Sequence, residues 1–129
     1  KRVDKFVNSR TKIAKYYNNE LKDLPLTIPW QASYAHSSYH LYPILINSNK
    51  CGKTQRQVYD ELRKKDIAVN LHYTPVHRHP YYANLGFKKN DFPIAEKFHQ
   101  EVISIPIYPS LQDKHKDYVV KTLKNVTLI

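Results

Sequence analysis

The sequence predicts one two-layer α/β (α+β) domain: a small sheet of about three strands covered by helices. Three observations carry that reading. The apolar spacing changes along the chain, from a 3.6-residue period over 3–21 to β-rich runs at 39–46, 67–73 and 102–107. Helical patterns stand between those runs, so strands and helices must share one core. With 129 residues, 41% hydrophobic and 25% charged, the chain can bury such a core, and no apolar run approaches the ~20 residues of a membrane span. There are no repeats or low-complexity segments.

Val3, Phe6, Val7, Ile13, Ala14, Tyr17 and Leu21, with Lys and Asn between them, mark one face of an amphipathic helix. Its start carries Lys1 and Arg2, where acids and Ser or Asp caps are favoured. The helix is therefore expected to continue upstream in a longer protein, unless it frays there. Segment 24–29 (L-P-L-T-I-P) is broken by proline and reads as an extended connector. Segment 39–46 (Y-H-L-Y-P-I-L-I) reads as a strand, with Pro43 placing it at an edge or a bulge. A turn at 47–52 follows.

Thr54 then caps a helix, with Gln57 completing a capping box and Val58 and Leu62 facing inward. Asp66 ends it, and 67–73 is expected as the next strand. Segment 81–85 is one helical turn closed by Gly86, and 88–90 is exposed loop. Asp91 is expected to cap a further helix, with Pro93 in its first turn and Ala95, Phe98 and Val102 on one face. Segment 102–107 (V-I-S-I-P-I) is the last strand. Ser110 is expected to cap the last helix, where Leu111, Val119, Leu123 and Val126 fall at helical spacing.

Chemistry concentrates at 70–80, N-L-H-Y-T-P-V-H-R-H-P. Three imidazoles, a phenol and a guanidinium follow a strand on a segment stiffened by two prolines. That is either a ligand site or a polar connection whose histidines face water. His72, His77 and His79 do not by themselves make a metal site: no acidic residue lies between Asp66 and Asp91 to complete one, and no metal is expected. Segment 47–54, N-S-N-K-C-G-K-T, approaches a phosphate-binding loop, but Asn47 stands where the first glycine must be. Ser33, Ser37 and Ser38 lack a nucleophile elbow, and Cys51 lacks a base partner. As the only cysteine, Cys51 excludes a disulfide or a cysteine zinc site within one chain. With no apolar leader behind K-R-V-D-K, the expected compartment is the cytoplasm.

The net charge of +10 would suit a polyanion, and eleven tyrosines could stack on bases, so a small basic nucleic-acid-binding module is the rival reading. The basic residues, however, are mostly lysines spread over the whole length. A solvated surface accounts for them, and tyrosines are more often half-buried at core edges or interfaces.

His40-Leu41-Tyr42-Pro43-Ile44, Asp66-Ile67, His72-Tyr73-Thr74-Pro75-Val76-His77, Phe92-Pro93-x-Ala95-Glu96 and Ser104-Ile105-Pro106-Ile107-Tyr108-Pro109-x-Leu111 occur in an order and spacing that resemble one family. It is the DegT/DnrJ/EryC1/StrS sugar aminotransferases, pyridoxal-phosphate enzymes of fold type I, and the resemblance is to their C-terminal small domain across essentially the whole chain. Gly86-Phe87-Lys88-Lys89-x-Asp91-Phe92-Pro93 is most similar to the transaminases of pseudaminic-acid biosynthesis, which aminate C4 of a UDP-linked 4-keto-6-deoxy-N-acetyl sugar. Asp66 departs from the family's usual glycine, although Asp tolerates a left-handed backbone.

The resemblance implies a homodimeric enzyme with pyridoxal phosphate bound mainly by a large domain absent from this chain. It implies a nucleotide-sugar substrate and an amino donor, usually glutamate, with neither nucleic acid nor membrane as partner. No lysine here sits in the family's Schiff-base motif, so this chain alone is expected to hold the cofactor poorly, to carry no catalytic residue and to be inactive. Its expected contribution is substrate binding: His72, Tyr73 and His77 toward sugar hydroxyls, Arg78 toward diphosphate, and His40 and Tyr42 near the same edge. A severed domain should also expose apolar patches and self-associate through them.

Overall fold

The computed structural model describes residues 2–128. In chain order its elements are α1 (Arg2–Leu21), β1 (Leu26–Thr27), β2 (Tyr42–Ile46), α2 (Ser48–Cys51), α3 (Gln55–Lys64), α4 (Pro80–Asn84), α5 (Pro93–Glu101), β3 (Val102–Ile105) and α6 (Asp113–Thr127). A one-turn 3-10 helix spans Val76–Arg78. The strands form one antiparallel sheet in the order β1-β2-β3, so the expected small three-stranded sheet covered by helices is present.

The core follows from alternation. Tyr42, Ile44 and Ile46 are buried while Pro43 and Leu45 between them are half-buried. The register pairs Tyr42 with Ile105 and Ile44 with Ile103, which puts matching apolar residues on one face. Against them pack Ile13, Ala14, Tyr17 and Leu21 of α1, Val58 and Leu62 of α3, and Val119, Leu123 and Val126 of α6. Each fully buried Leu, Ile or Val contributes about 1.5–3 kcal/mol. At the rim, Tyr16 Oη donates to Asp117 at 2.6 Å and Lys124 pairs with Glu20 at 2.8 Å, tying α1 to α6. Burial, then the Asp117 hydrogen bond, push the Tyr16 phenol up to about 12.

Pro43 sits in the middle strand, yet no ladder bond is lost. Ser104 uses both its N–H and its C=O on Asn70, so it faces Pro43 as a non-hydrogen-bonded pair. On the other side, β1 covers only Leu45 and Ile46. Pro43 therefore occupies the locally open part of β2, as a proline must.

Local signals translated faithfully where the chemistry was local. Thr54 accepts from the Gln57 N–H while Gln57 Oε1 accepts from the Thr54 N–H at 2.8 Å, completing the capping box. Asp66 takes a left-handed backbone with φ 57°. The expectation about Lys1 lies outside the described residues.

Other expectations are corrected. Segment 67–73 is not a strand: an Ile67 C=O to Val69 N–H bond of 2.9 Å bends it, and only Asn70 reaches the ladder, as an isolated bridge to Ser104. Its apolar residues Ile67 and Val69 are still buried. The third strand comes instead from the connector, where Leu26 and Thr27 pair with Ile46 and Leu45. The 47–52 turn is a single helical turn, capped by the Asn47 side chain and closed by Gly52 at φ 67°. Asp91 caps nothing; its carboxylate accepts from Lys88 N–H at 2.7 Å and closes a turn, leaving Phe92 at the N-cap. Gln112 rather than Ser110 precedes α6, and Leu111 is buried ahead of the helix.

The largest departure concerns α5. Its expected inward residues Ala95 and Phe98 are exposed and Val102 opens β3, whereas Glu96 is the residue that α5 buries.

Candidate functional site

Segment 70–80 is held at two points. At the first, His72 Nδ1 lies 2.9 Å from Ser104 Oγ of β3, directly beyond the Asn70–Ser104 bridge. At the second, His77 Nε2 lies 2.8 Å from Glu96 Oε1 of α5, with both side chains buried. Between the anchors the chain turns, with Arg78 N–H bonding Pro75 O and His79 N–H bonding Val76 O. The His77 ring also packs on Phe92 at 4.9 Å between centroids. Tyr73, Thr74 and Val76 are what this arrangement leaves exposed.

The residues expected to serve substrate binding divide accordingly. His72 uses one ring nitrogen on Ser104, and its Nε2 has no hydrogen-bond partner among the described residues. Tyr73 is exposed, its ring 4.6 Å from that of His72. His40 is exposed and lines the same groove as His72, together with Asn70, Ser104 and Tyr108. Arg78 is partly exposed and its Nη1 lies 3.5 Å from Glu96 Oε2. His77 and Tyr42 are turned inward: His77 toward Glu96, and Tyr42 into the core, where its phenol donates to Asn18 Oδ1 at 2.6 Å. Burial, with a smaller contribution from Tyr39, pushes the Tyr42 phenol well above its ordinary range.

His72 and Tyr73 open onto different surfaces. The His72 side is a groove of about 240 Å³ in which His40, Asn70, His72 and Ser104 stand among apolar residues such as Leu41 and Ile105. The Tyr73 side is a wider apolar groove of about 700 Å³ walled by Pro75, Val76, Phe92, Ile94 and Phe98. Ile94, at 86% exposure, and its neighbours form the kind of apolar patch that the sequence led us to expect. Sequence reasoning missed Glu96 as a site residue. Its only trace was the Phe92-Pro93-x-Ala95-Glu96 motif, in which a carboxylate stands on the face of α5 that turns inward.

Burial alone would raise the Glu96 carboxyl, but the His77 hydrogen bond and the Arg78 guanidinium outweigh it and hold it below the usual carboxylate range. A depressed acid stabilises the fold above its unfolded pKa, near 4.3 for Glu, and that stabilisation is lost as pH falls through the folded value. Acidification below the ordinary carboxylate range should therefore release the 75–79 turn. Amide cross-peaks of Val76 to His79 that collapse toward coil positions would show it; peaks unmoved by acid would refute it.

Among the described residues no group of three potential ligands could hold a metal ion, and no helix is long and apolar enough to cross a membrane. Nor do these residues fit pyridoxal phosphate. Every described lysine is exposed or half-buried, and the half-buried Lys53, Lys116 and Lys124 are each paired with a carboxylate. None is a desolvated amine facing a cavity, as a Schiff-base lysine must be.

The three-stranded sheet flanked by helices is a fold this chain shares with solved sugar aminotransferases. The sequence model of the DegT/DnrJ/EryC1/StrS aminotransferase family matches residues 1–124, and the chain belongs to that family. Among curated relatives, the erythromycin biosynthesis sensory transduction protein EryC1 of Saccharopolyspora erythraea is 37% identical over 124 residues, 95% of this chain and 32% of its own.

Among solved structures, the putative sugar aminotransferase Spr1654 of Streptococcus pneumoniae superposes with TM-score 0.86 at 28% identity, covering 98% of this chain and 32% of that one. PseC of Helicobacter pylori, an aminotransferase of pseudoaminic acid biosynthesis, superposes with TM-score 0.82 at 25% identity, covering 95% and 33%. Spr1654 is also known in PLP and PMP forms, so pyridoxal phosphate belongs to the family's chemistry. The chain spans about a third of the length of the curated relatives it matches.

Proposed function

We propose that residues 1–129 form the C-terminal small domain of a pyridoxal-phosphate-dependent sugar-nucleotide aminotransferase. Its reaction is amination at C4 of a UDP-linked 4-keto-6-deoxy sugar, of the kind used toward pseudaminic acid. The observation that carries this reading is the braced segment 72–79, which presents the free nitrogen of His72 in a groove beside His40 and Tyr73 on the adjoining surface. Such an edge offers hydrogen bonds at fixed positions to a polyhydroxylated ligand, and the likeness to PseC supports a sugar nucleotide as that ligand. Arg78 and the overall charge of +10 favour the approach of a diphosphate.

On this reading the rest of the enzyme holds the cofactor, which supplies the electron sink for moving an amino group from donor to ketone. The donor is glutamate, the enzyme is a cytoplasmic homodimer, and this domain alone is inactive. The test is to supply the aminotransferase that carries this domain with glutamate and a UDP-4-keto-6-deoxy-N-acetylhexosamine. Mass spectrometry should find the 4-amino sugar nucleotide, with none formed by the isolated domain. Turnover confined to small 2-oxo acids would refute the proposal.

A further inference from the structure

The buried Glu96 carboxylate on α5 has no part in the substrate contacts proposed above. Glu96 is buried and reaches His77 at 2.8 Å and Arg78 at 3.5 Å, while its Oε2 makes no hydrogen bond of its own. Packing alone could hold a helix to a turn, and replacing a buried ion pair by apolar residues is often neutral or stabilising. What an ionic grip adds is direction: a carboxylate fixes its donors to particular atoms, where apolar contacts allow sliding.

Its placement makes that direction count. Immediately upstream of the turn stand Thr74 and Tyr73, and before them His72, which β3 holds through Ser104. The segment is thus a short span with both ends clamped, and its exposed middle is Tyr73 and Thr74. Releasing the His77 end would leave Tyr73 on a segment clamped at one end only.

We propose that Glu96 is a positioning residue for the sugar-nucleotide half of the reaction: by gripping His77 and Arg78 it fixes the 75–79 turn and so sets where Tyr73 stands. The inference rests on the sugar-aminotransferase reading.

The experiment uses the full aminotransferase and separates its two half-reactions by following the cofactor's absorbance. Glu96→Gln keeps the shape and one hydrogen bond but removes the charge. It is expected to raise KM for the sugar nucleotide about tenfold, since a misplacement of about 1 Å in a positioned group can cost up to about 100-fold. The glutamate half-reaction should proceed at the wild-type rate. Glu96→Asp, which keeps the charge, should restore part of the loss.

A variant that slows both halves equally would assign Glu96 a purely structural role and overturn the inference, as would one that changes neither. Should both variants fail to fold, the wild-type enzyme decides. The amides of Arg78 and His79, bonded to Pro75 O and Val76 O, should be protected from hydrogen exchange before substrate is added. Open-chain exchange rates there would mean that nothing is preset. If the wild-type enzyme turns over no sugar nucleotide at all, the functional reading itself has failed, and that outcome is distinct from every result above.

Discussion

Replacing His72 and Tyr73 together by alanine, in the aminotransferase that carries this domain, is expected to lower kcat/KM for the sugar nucleotide by about 100-fold. Each lost hydrogen bond weighs ~1–1.5 kcal/mol, or about tenfold. The glutamate half-reaction should be untouched, because these side chains stand on the sugar's proposed approach and not at the cofactor. The fold should survive, since the Asn70–Ser104 bridge and the His77–Glu96 contact remain. His72 has a structural share as well: its removal leaves the buried Ser104 hydroxyl without its imidazole partner. Tyr73→Phe is therefore the cleaner single variant, because it deletes only an exposed phenol. Wild-type turnover by the double variant would remove both residues from the site.

Tyr17→Ala is expected to cost ~3–5 kcal/mol, the range for deleting a large buried ring, and to lower the midpoint of thermal unfolding by roughly 10–20 °C. Tyr17 is wholly buried, its ring meets Tyr42 edge-on at 5.1 Å, and its hydroxyl donates to Pro106 O at 2.9 Å. It thus joins α1 to β2 and to the exit of β3 in one side chain. Tyr17→Phe separates the two contributions: it keeps the ring and orphans one carbonyl, for about 1–2 kcal/mol. Paired thermal melts decide the matter. A Tyr17→Ala midpoint within a few degrees of wild type would mean that the ring is not part of the cooperative core.

How far the sequence disclosed these features depended on the separation of the interacting groups. The Thr54–Gln57 box was readable because both partners lie within one helical turn, and β2, β3 and α6 were readable because their apolar patterns are continuous. Leu26 and Thr27 were not, since their strand character is conferred by Ile46 and Leu45 about 20 residues away and the flanking prolines argue against it locally. Segment 67–73 misled in the opposite direction: Ile67 and Val69 are buried, but a tight turn keeps all except Asn70 off the ladder.

At the site, the sequence marked 70–80 correctly as the concentration of polar groups, but could not tell inward from outward. His72 and His77 look alike in the sequence. Ser104 and Glu96, from distant segments, give each its partner, and of the two only His77 is buried. The same blindness hid Glu96, because an apolar pattern on α5 suggested that its neighbours Ala95 and Phe98 faced the core.

The clasp between α1 and α6 has a consequence for how the domain is made. Tyr16 meets Asp117 and Glu20 meets Lys124 across separations of 101 and 104 residues. As the chain leaves the ribosome, α1 and β2 emerge long before the helix that covers their shared face. Until α6 follows, the inner sides of Ile13, Tyr17 and Ile44 have no lid, and this early stretch is a natural client for chaperones. The core therefore closes late, once the far end of the chain arrives to meet the near one.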